Sequence, residues 1–157
     1  MKSEQNERRQ VAQNRKAYHQ YQIVDELEVG LVLVGSEVKS LRAGQCSLQE
    51  AWVKISREEM FLVGAHIPEY KHANALNHKP TRERKILAHG REIAAWTKQV
   101  KEKGTTIVPL EVYFVGQRAK ALLGLAKGKR QHDKREAVKE RDDKREMARA
   151  QKAHGRR

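Results

Sequence analysis

The sequence predicts a mainly β protein: a small, partly open antiparallel barrel with two or three flanking helices and a basic C-terminal tail that is disordered when free. Three observations predict this class. Five or six short stretches rich in apolar residues are separated by Gly, Pro or charged turns. Two other stretches have helical spacing, and each ends at a glycine. The last thirty-odd residues contain no aromatic residue and almost no aliphatic one, so they cannot bury enough apolar surface to offset their chain entropy.

The chain divides by composition into three parts. The predicted domains are a flexible basic N-terminal segment (residues 1–17), a barrel domain (18–126) and a basic tail (127–157). The first strand is expected to begin at Tyr21, break at Gly30 and resume over residues 31–34.

A short helix and a hairpin follow in the pattern. Ser36 is a plausible N-cap and Gly44 a plausible stop, which indicates a helix of two turns between them. Residues 52–55 and 60–63 then alternate on either side of a polar turn, and this arrangement is typical of a hairpin.

The second half of the barrel begins with a loop over residues 68–83. A second helix is predicted from His89 to Lys103, where a glycine follows. Two strands complete the domain, Thr105–Val115 and Arg118–Ala126. Pro109 lacks an N–H group, so it is expected at a sheet edge or a bulge.

Charge is the strongest indication of the partner. The chain has 33 Lys and Arg against 20 Asp and Glu, a net charge of +13, and the tail holds thirteen of these cations and six of the acids. This balance favours nucleic acid as the partner. A membrane partner is disfavoured, since no apolar run approaches the ~18 residues needed to span a bilayer. The first residues have no apolar core of a secretory signal, so a cytoplasmic protein is expected.

Catalytic and metal-binding chemistry is poorly supplied. Asp25 is the only aspartate before the tail, and Cys46 is the only cysteine. His66, His72 and His78 are six residues apart, a spacing that fits no metal site on a regular element, so they are expected to be loop histidines touching solvent or RNA. The sequence therefore predicts no enzyme, no metal and no cofactor.

A mixture of cations, an amide and rings precedes the first strand. Its members are Asn14, Arg15, Lys16, His19 and Tyr21. Such a mixture can grip phosphates and stack on exposed bases. The alternative, of equal weight, is a stretch that leads into the strand with Tyr21 packed inward.

Other basic and aromatic side chains have simpler interpretations. Lys39 and Arg42 are three residues apart, as on a solvated helix face. Trp52 and Trp96 are expected in the core.

Six segments carry a resemblance to a known family. They are NRKA (14–17), GSEVKSLRAG (35–44), TRERKIL (81–87), REI (91–93), VPLEVYF (108–114) and GLAKGKRQHDKRE (124–136). These segments resemble the bacterial tmRNA-binding proteins, a family also called small protein B. The resemblance implies an oligonucleotide-binding barrel that binds the tRNA-like domain of tmRNA. It also implies delivery of that RNA to ribosomes stalled on messages without a stop codon, for trans-translation, tagging of the nascent chain and ribosome rescue.

The resemblance also implies which residues act. The RNA-binding face would use Asn14, His19, Tyr21, Glu28, Leu87 and Lys120, while Glu37 and Lys39 would either assist or hold the fold. The tail would become helical on the ribosome and meet small-subunit ribosomal RNA. Its implied residues are Lys127, Lys129, Arg130, His132, Asp133, Lys134 and Arg135.

The implied partners are tmRNA, the small ribosomal subunit with its rRNA, and aminoacylated tmRNA carried with elongation factor Tu. The protein is expected to be a monomer with no membrane partner. The alternative function is that of a structural ribosomal or ribosome-assembly protein, which also uses a basic tail. Co-purified RNA separates the two, because an assembly protein tracks immature subunits whereas the tmRNA-binding protein enriches one structured RNA.

Overall fold

The structure is a computed structural model that describes residues 7–72, 77–102, 104–128 and 131–154, with the backbone alone for 131–140 and 153–154. The chain forms two compact units, Met1–Lys127 and Gly128–Arg157. In chain order the elements are β1 (Arg8–Gln13), α1 (Arg15–Gln20), β2 (Tyr21–Leu31), α2 (Gly35–Arg42), β3 (Trp52–Ser56), β4 (Glu59–Val63), β5 (Arg84–Leu87), α3 (Gly90–Val100), β6 (Thr105–Val115), β7 (Arg118–Gly128) and α4 (Gln131–His154).

The seven strands form one sheet in the order β1-β6-β7-β2-β5-β4-β3. The pairs β1–β6, β6–β7, β2–β5, β4–β5 and β3–β4 are antiparallel. β3, at one edge, also lies beside β6, so the sheet curls on itself. Within the described residues the two edge strands β1 and β3 are not paired with each other, so the barrel stays open. This confirms the predicted mainly β, partly open barrel with two or three flanking helices, which are α1, α2 and α3, while α4 lies in the tail.

The main core fills the inside of the curled sheet. Leu41 of α2 meets Met60, Leu62, Ile86 and Leu123 from the strands, and each is at most 2% exposed. Burying a side chain of this size stabilises the fold by about 1.5–3 kcal/mol. Helix α3 adds its own inner face to this core, so it is held by packing rather than by helix propensity.

A β-bulge in β6 divides this strand between two layers. The register with β7 shifts between Pro109 and Glu111, which inserts an extra residue and reverses the direction of the side chains that follow. Ile107, Val112 and Phe114 of β6 point into the main core. Val108 and Leu110 pack in a second cluster with Ala17 of α1. Glu111 and Tyr113, after the bulge, lie on the outer face of the sheet. The predicted bulge at Pro109 is therefore confirmed, although β6 lies between β1 and β7 and not at an edge.

The N-terminal segment differs from its prediction. Residues 1–17 are expected to be flexible, but β1 pairs with β6 from Arg8↔Val115 to Gln13↔Glu111, and α1 follows it. An edge strand can be polar because its backbone, rather than its side chains, joins it to the sheet. The side chain of Asn14 then starts α1 by accepting a hydrogen bond from the Ala17 N–H at 3.2 Å.

Three further boundaries differ. β2 continues through Gly30, because this residue lies opposite Leu87 of β5, and a Cβ on it would stand 3.3 Å from the Leu87 Cβ. β5 itself, only four residues long, is absent from the prediction. α3 ends at Val100, three residues before the predicted end.

The first predicted helix and the hairpin are largely confirmed. α2 ends before Gly44, whose φ of 79° is the left-handed conformation that a glycine stop supplies. It begins two residues earlier than predicted, with Val34 as N-cap, so Ser36 lies inside the helix. β3 and β4 pair around a turn at Arg57 and Glu58, both with positive φ.

A buried ion pair joins α2 to β5. Glu37 and Arg84 are both fully buried, and the Arg84 Nε donates to the Glu37 carboxylate. Arg82 also donates to this carboxylate, and the Val34 N–H donates to it at 3.0 Å. The remaining Arg84 nitrogens donate to the backbone oxygens of Ala65 and Pro80 at 2.7 and 3.0 Å. Burial alone would raise the pKa of Glu37, but the hydrogen bonds from Arg82, Val34 and Arg84 outweigh it and hold the pKa below its ordinary value.

We expect Glu37→Gln to lower the free energy of unfolding by about 3–5 kcal/mol, because it leaves the Arg84 guanidinium buried without a counter-charge. Denaturant unfolding at pH 7 measures this difference. The matched control is Glu83→Gln, which breaks the exposed Lys54–Glu83 pair of 2.9 Å and should cost less than about 1 kcal/mol. Equal losses in the two variants would contradict the structural role of Glu37.

The same pair sets a pH dependence. Because the pKa of Glu37 is lower in the folded state, its contribution is present above the ordinary carboxyl pKa and is lost as the pH falls through the folded pKa. Glu37→Gln should therefore lose less stability on acidification than the parent protein.

Candidate nucleic-acid interface

A carboxylate, a phenol and an ammonium group meet on the outer face of the sheet. Tyr113 of β6 lies opposite Lys120 of β7, and Glu28 projects from β2, the next strand. The Lys120 Nζ donates to one oxygen of Glu28 at 2.9 Å, and the Tyr113 hydroxyl donates to the other. Both oxygens of Glu28 are therefore held by neighbouring strands, although its side chain is 49% exposed.

This arrangement fixes the protonation states. Hydrogen bonds from Tyr113 and then from Lys120 lower the pKa of Glu28. Burial raises the pKa of Tyr113, and its bond to Glu28 raises it further. At neutral pH the face thus presents an oriented carboxylate whose free lone pairs can accept hydrogen bonds from a partner.

Arg8 of β1 covers the other side of this cluster. Its guanidinium lies 3.8 Å from the centroid of the Tyr113 ring and forms an ion pair with Glu111. Two cations are thus balanced by two carboxylates around the ring. This part of the surface is therefore distinguished by the fixed orientation of its charged groups and not by a net positive charge.

An open cleft adjoins the cluster. Its volume is about 420 Å³, and Gly30, Leu87, Arg118 and Lys120 are among the residues that line it. Leu87 is 54% exposed, because it stands on the outer side of β5 opposite a glycine. The structure therefore brings the predicted residues Glu28, Leu87 and Lys120 together from three different strands.

A second cleft lies beside α1. It has a volume of about 310 Å³ and includes Lys16, Tyr21 and Trp52 in its lining. Lys16 is exposed, with its Nζ 3.9 Å from Glu50, and Tyr21 is half-buried against the cluster beneath α1. Tyr21 thus satisfies both interpretations, since it packs inward and also borders an open cleft.

Trp52 is a residue that the sequence analysis misplaces. It is expected in the core, but its side chain is 44% exposed, whereas Trp96 is buried and donates from its Nε1 to Asp25 at 3.3 Å. The alternation of side chains along β3 would have predicted this exposure, because Val53 points inward and its neighbour Trp52 must then point outward. An exposed indole beside a lysine is suited to stacking on a base.

Two predicted site residues face the interior. The Nδ2 of Asn14 donates to the backbone oxygens of Leu48 and Pro109 at 3.2 and 3.0 Å, and its Oδ1 caps α1. Glu37 is fully buried in its ion pairs. The Asn14 side chain thus caps α1, and the burial of Glu37 agrees with the alternative in which it holds the fold.

The remaining predicted residues of the barrel are exposed. Arg15 and His19 lie on α1. Lys39 lies on α2, with its Nζ 5.6 Å from the centroid of the Tyr70 ring. They do not belong to the Glu28 cluster.

The histidines also differ from their prediction in one case. His78 is buried, and its Nε2 lies 2.8 Å from the Ile67 carbonyl, which can only accept a hydrogen bond. The Nε2 therefore donates to this carbonyl, and the Nδ1 lies 2.8 Å from the Ser36 hydroxyl oxygen. His78 is a structural link and not a loop histidine open to RNA, whereas His66 and His72 are exposed.

For most of the predicted tail residues the structure describes no side chain. Lys127 is the next-to-last residue of β7, with its Nζ 3.9 Å from a Glu102 oxygen. Lys129 and Arg130 lie outside the described residues, and His132, Asp133, Lys134 and Arg135 are described by backbone alone, within α4. Residues 141–152 of α4 are all exposed.

Other chemistry is sparse in the described part of the chain. No group of three His, Cys, Asp or Glu there could hold a metal ion. Burial raises the pKa of the Cys46 thiol to about 11, so it is protonated at neutral pH. Among the described helices, none is long and apolar enough to cross a membrane.

Comparison with known proteins gives a consistent result. The family model described as "SmpB protein" matches residues 11–153. The SsrA-binding protein of Kineococcus radiotolerans is 50% identical over 143 residues, covering 91% of this chain and 92% of the relative. That of Sulfurihydrogenibium sp. is 52% identical over 137 residues, covering 87% and 90%. A chain in a solved structure described as "tmRNA-SmpB: a journey to the center of the bacterial ribosome" aligns with a TM-score of 0.66 and 41% identity, covering 81% of this chain and 93% of that one.

We expect Tyr113→Phe to raise the pKa of Glu28 toward its ordinary value, because the Tyr113 hydroxyl is the largest stabiliser of the charged carboxylate. NMR titration of the side-chain carboxyl carbon of Glu28 measures this. Tyr70→Phe, a change of the same kind outside the cluster, should leave the pKa unchanged. An unchanged value in Tyr113→Phe would contradict the hydrogen bond.

Proposed function

Because the chain belongs to the SmpB protein family, we propose that it binds tmRNA, also called SsrA RNA, and brings it to stalled ribosomes. There it supports trans-translation, in which the nascent chain is tagged and the ribosome is released. The observation that carries this proposal is the built outer face: a fixed carboxylate, an ammonium group and an exposed leucine, set on three rigid strands of a basic protein.

The chemistry of this face suits folded RNA. Lys120 supplies a cation for a phosphate, and Leu87 supplies apolar surface for a ribose or base. Glu28 cannot attract a polyanion by charge, so its contribution must be a hydrogen bond, accepted from a 2′-hydroxyl or a base N–H. The ligand that we propose for this face is the tRNA-like domain of tmRNA.

The cleft beside α1 extends the same interface. Lys16 is placed for a phosphate, and Tyr21 and Trp52 are placed to stack on an unpaired base. Arg15 and His19 stand on the exposed side of α1 and add positive or stacking groups. Lys39, on α2, is an accessory cation in this proposal.

The tail is proposed to act on the ribosome. α4 has few apolar residues, so little packing can stabilise it in water and its cations are free to follow rRNA phosphates. We assign this role to Lys127, Lys129, Arg130, His132, Asp133, Lys134 and Arg135. Contact with small-subunit rRNA near the decoding centre would take the place of the missing codon–anticodon pairing.

The remaining assignments follow from this function. The protein is a non-enzymatic RNA-binding factor that works as a monomer, without cofactor, in the cytoplasm where ribosomes translate. Aminoacylated tmRNA with elongation factor Tu is its proposed partner complex on the way to the ribosome.

We expect Lys120→Ala to weaken binding of the tRNA-like domain and to lower the slope of log affinity against log salt by roughly 1, because one phosphate contact is lost. Gel-shift titration at several salt concentrations measures both quantities. Lys98→Ala removes an exposed cation from α3 and should leave the slope nearly unchanged. An unchanged slope in Lys120→Ala would remove this residue from phosphate contact.

Glu28→Ala tests hydrogen bonding against charge in the same assay. The variant loses both acceptor oxygens together with the negative charge, so it should bind more weakly by roughly 1–3 kcal/mol if Glu28 acts as an acceptor. Tighter binding would show that the carboxylate merely repels RNA.

We expect truncation after Gly128 to spare most of the tmRNA affinity and to abolish tagging of stalled chains, because the two tasks belong to different parts of the chain. Gel shift and tag incorporation in a reconstituted stalled translation reaction measure them. Asp133→Ala with Lys134→Ala should reduce tagging, while Asp142→Ala with Lys144→Ala, the matched control, should reduce it less. Tagging that survives truncation would refute the tail mechanism.

A further inference from the structure

A third groove lies at the end of the barrel where β1 meets the β6–β7 turn and the end of α2. Its volume is about 550 Å³. Arg8, Arg9 and Arg42 line it, together with Gln117 of the turn and one carboxylate, Glu7. Three guanidinium groups from two distant parts of the sequence therefore converge on one open space.

Two of these arginines are available to a ligand. The Arg8 guanidinium is already engaged by Glu111 and the Tyr113 ring. Arg9 and Arg42 are both exposed, and neither takes part in an ion pair among the described residues. One Arg9 nitrogen donates to the Arg42 backbone oxygen at 2.9 Å, which orients its guanidinium while leaving other N–H groups unused.

The ligand chemistry that fits is a phosphate. Guanidinium groups present paired N–H donors that match phosphate oxygens, and an open groove rimmed by such groups follows a backbone rather than enclosing a small molecule. Arg42 also lies in the last turn of α2. Its position there needs no acidic partner, since a cation at a helix C-terminus is stabilised by the helix dipole.

The groove and the Lys120 cleft lie on either side of the β6–β7 turn. Gln117 lines both of them, and Arg118 follows it on the side of the Lys120 cleft. Arg8 joins the two in a second way, because it lies in the groove and also stacks on Tyr113, which holds Glu28. A strand that leaves the Lys120 cleft over the β6–β7 turn would enter the arginine groove next.

We infer that this arginine groove binds the phosphate backbone of the same RNA, so that the tmRNA interface extends around the β6–β7 turn to Arg9 and Arg42. The inference rests on the proposed function. It adds a site of non-specific backbone contact to a face whose oriented groups contact sugar or base.

The test is the salt dependence of binding to the tRNA-like domain, measured by gel shift for the full chain and for Arg9→Gln and Arg42→Gln. Each substitution should lower the slope by about 1, so that affinity falls about fourfold less between 50 and 200 mM salt than in the parent protein. Arg91→Gln, which removes the same charge from an exposed position of α3, is the matched control and should keep the parental slope. Thermal unfolding verifies that each variant is folded.

The outcomes are distinguishable. If the parent protein does not bind the tRNA-like domain, the proposed function fails. If it binds and both arginine variants keep its affinity and slope, the groove inference fails while the proposed function stands. Arg42→Gln retains the backbone oxygen that orients Arg9, so it tests the groove even if Arg9→Gln unfolds. Loss of ribosome binding with unchanged tmRNA binding would overturn the inference and assign the groove to rRNA.

Discussion

The buried contact between Glu37 and Arg84 determines where the outer face can form. Arg84 begins β5, and its guanidinium joins this strand to Glu37 of α2 and to the backbone oxygens of Ala65 and Pro80. β5 is only four residues long, and it pairs with β2 at two positions and with β4 at three, so few ladder positions hold it. The ion pair fixes this short strand, and the strand in turn places Leu87 opposite Gly30 beside Lys120.

A buried ion pair of this kind contributes little net free energy to folding, but it specifies which groups must meet. Removing two charges from water costs several kcal/mol per ion, and the attraction between them offsets this only when their remaining hydrogen-bonding groups are satisfied. Here Glu37 accepts from three donors and Arg84 reaches two backbone oxygens, so the condition is met. An apolar pair could fill the same volume, but it would not specify which loop oxygen and which helix end must meet.

The sequence predicts the elements that carry strong local signals. Gly44 ends α2, the hairpin forms, and Pro109 lies at a bulge, since each depends on backbone preferences of a few adjacent residues. β1 and β5 are missed because neither has a long apolar pattern. β1 is held by backbone pairing at an edge, and β5 buries one apolar side chain, Ile86, together with a charged residue whose partner is 47 positions away.

The residues of the candidate site also differ in how far the sequence predicts their positions. Glu28, Leu87 and Lys120 come from a family resemblance, and no local pattern indicates that they meet. Asn14 and Glu37 show the converse, since polar residues within recognisable motifs can serve the interior. The exposure of Trp52 could be predicted from the sequence, because the strand alternation that buries Val53 places its neighbour on the outside.

The bulge in β6 has an evolutionary consequence. Because one extra residue near Pro109 reverses the facing of every later side chain in the strand, the outer position of Tyr113 depends on the number of residues as well as on their identity. A single-residue deletion there would leave the composition of β6 almost intact and yet turn Tyr113 toward the core and Val112 toward solvent. This stretch should therefore tolerate insertions and deletions poorly even where the added residue is apolar, so the length of a strand acts here as a heritable determinant of which side chains form the outer face.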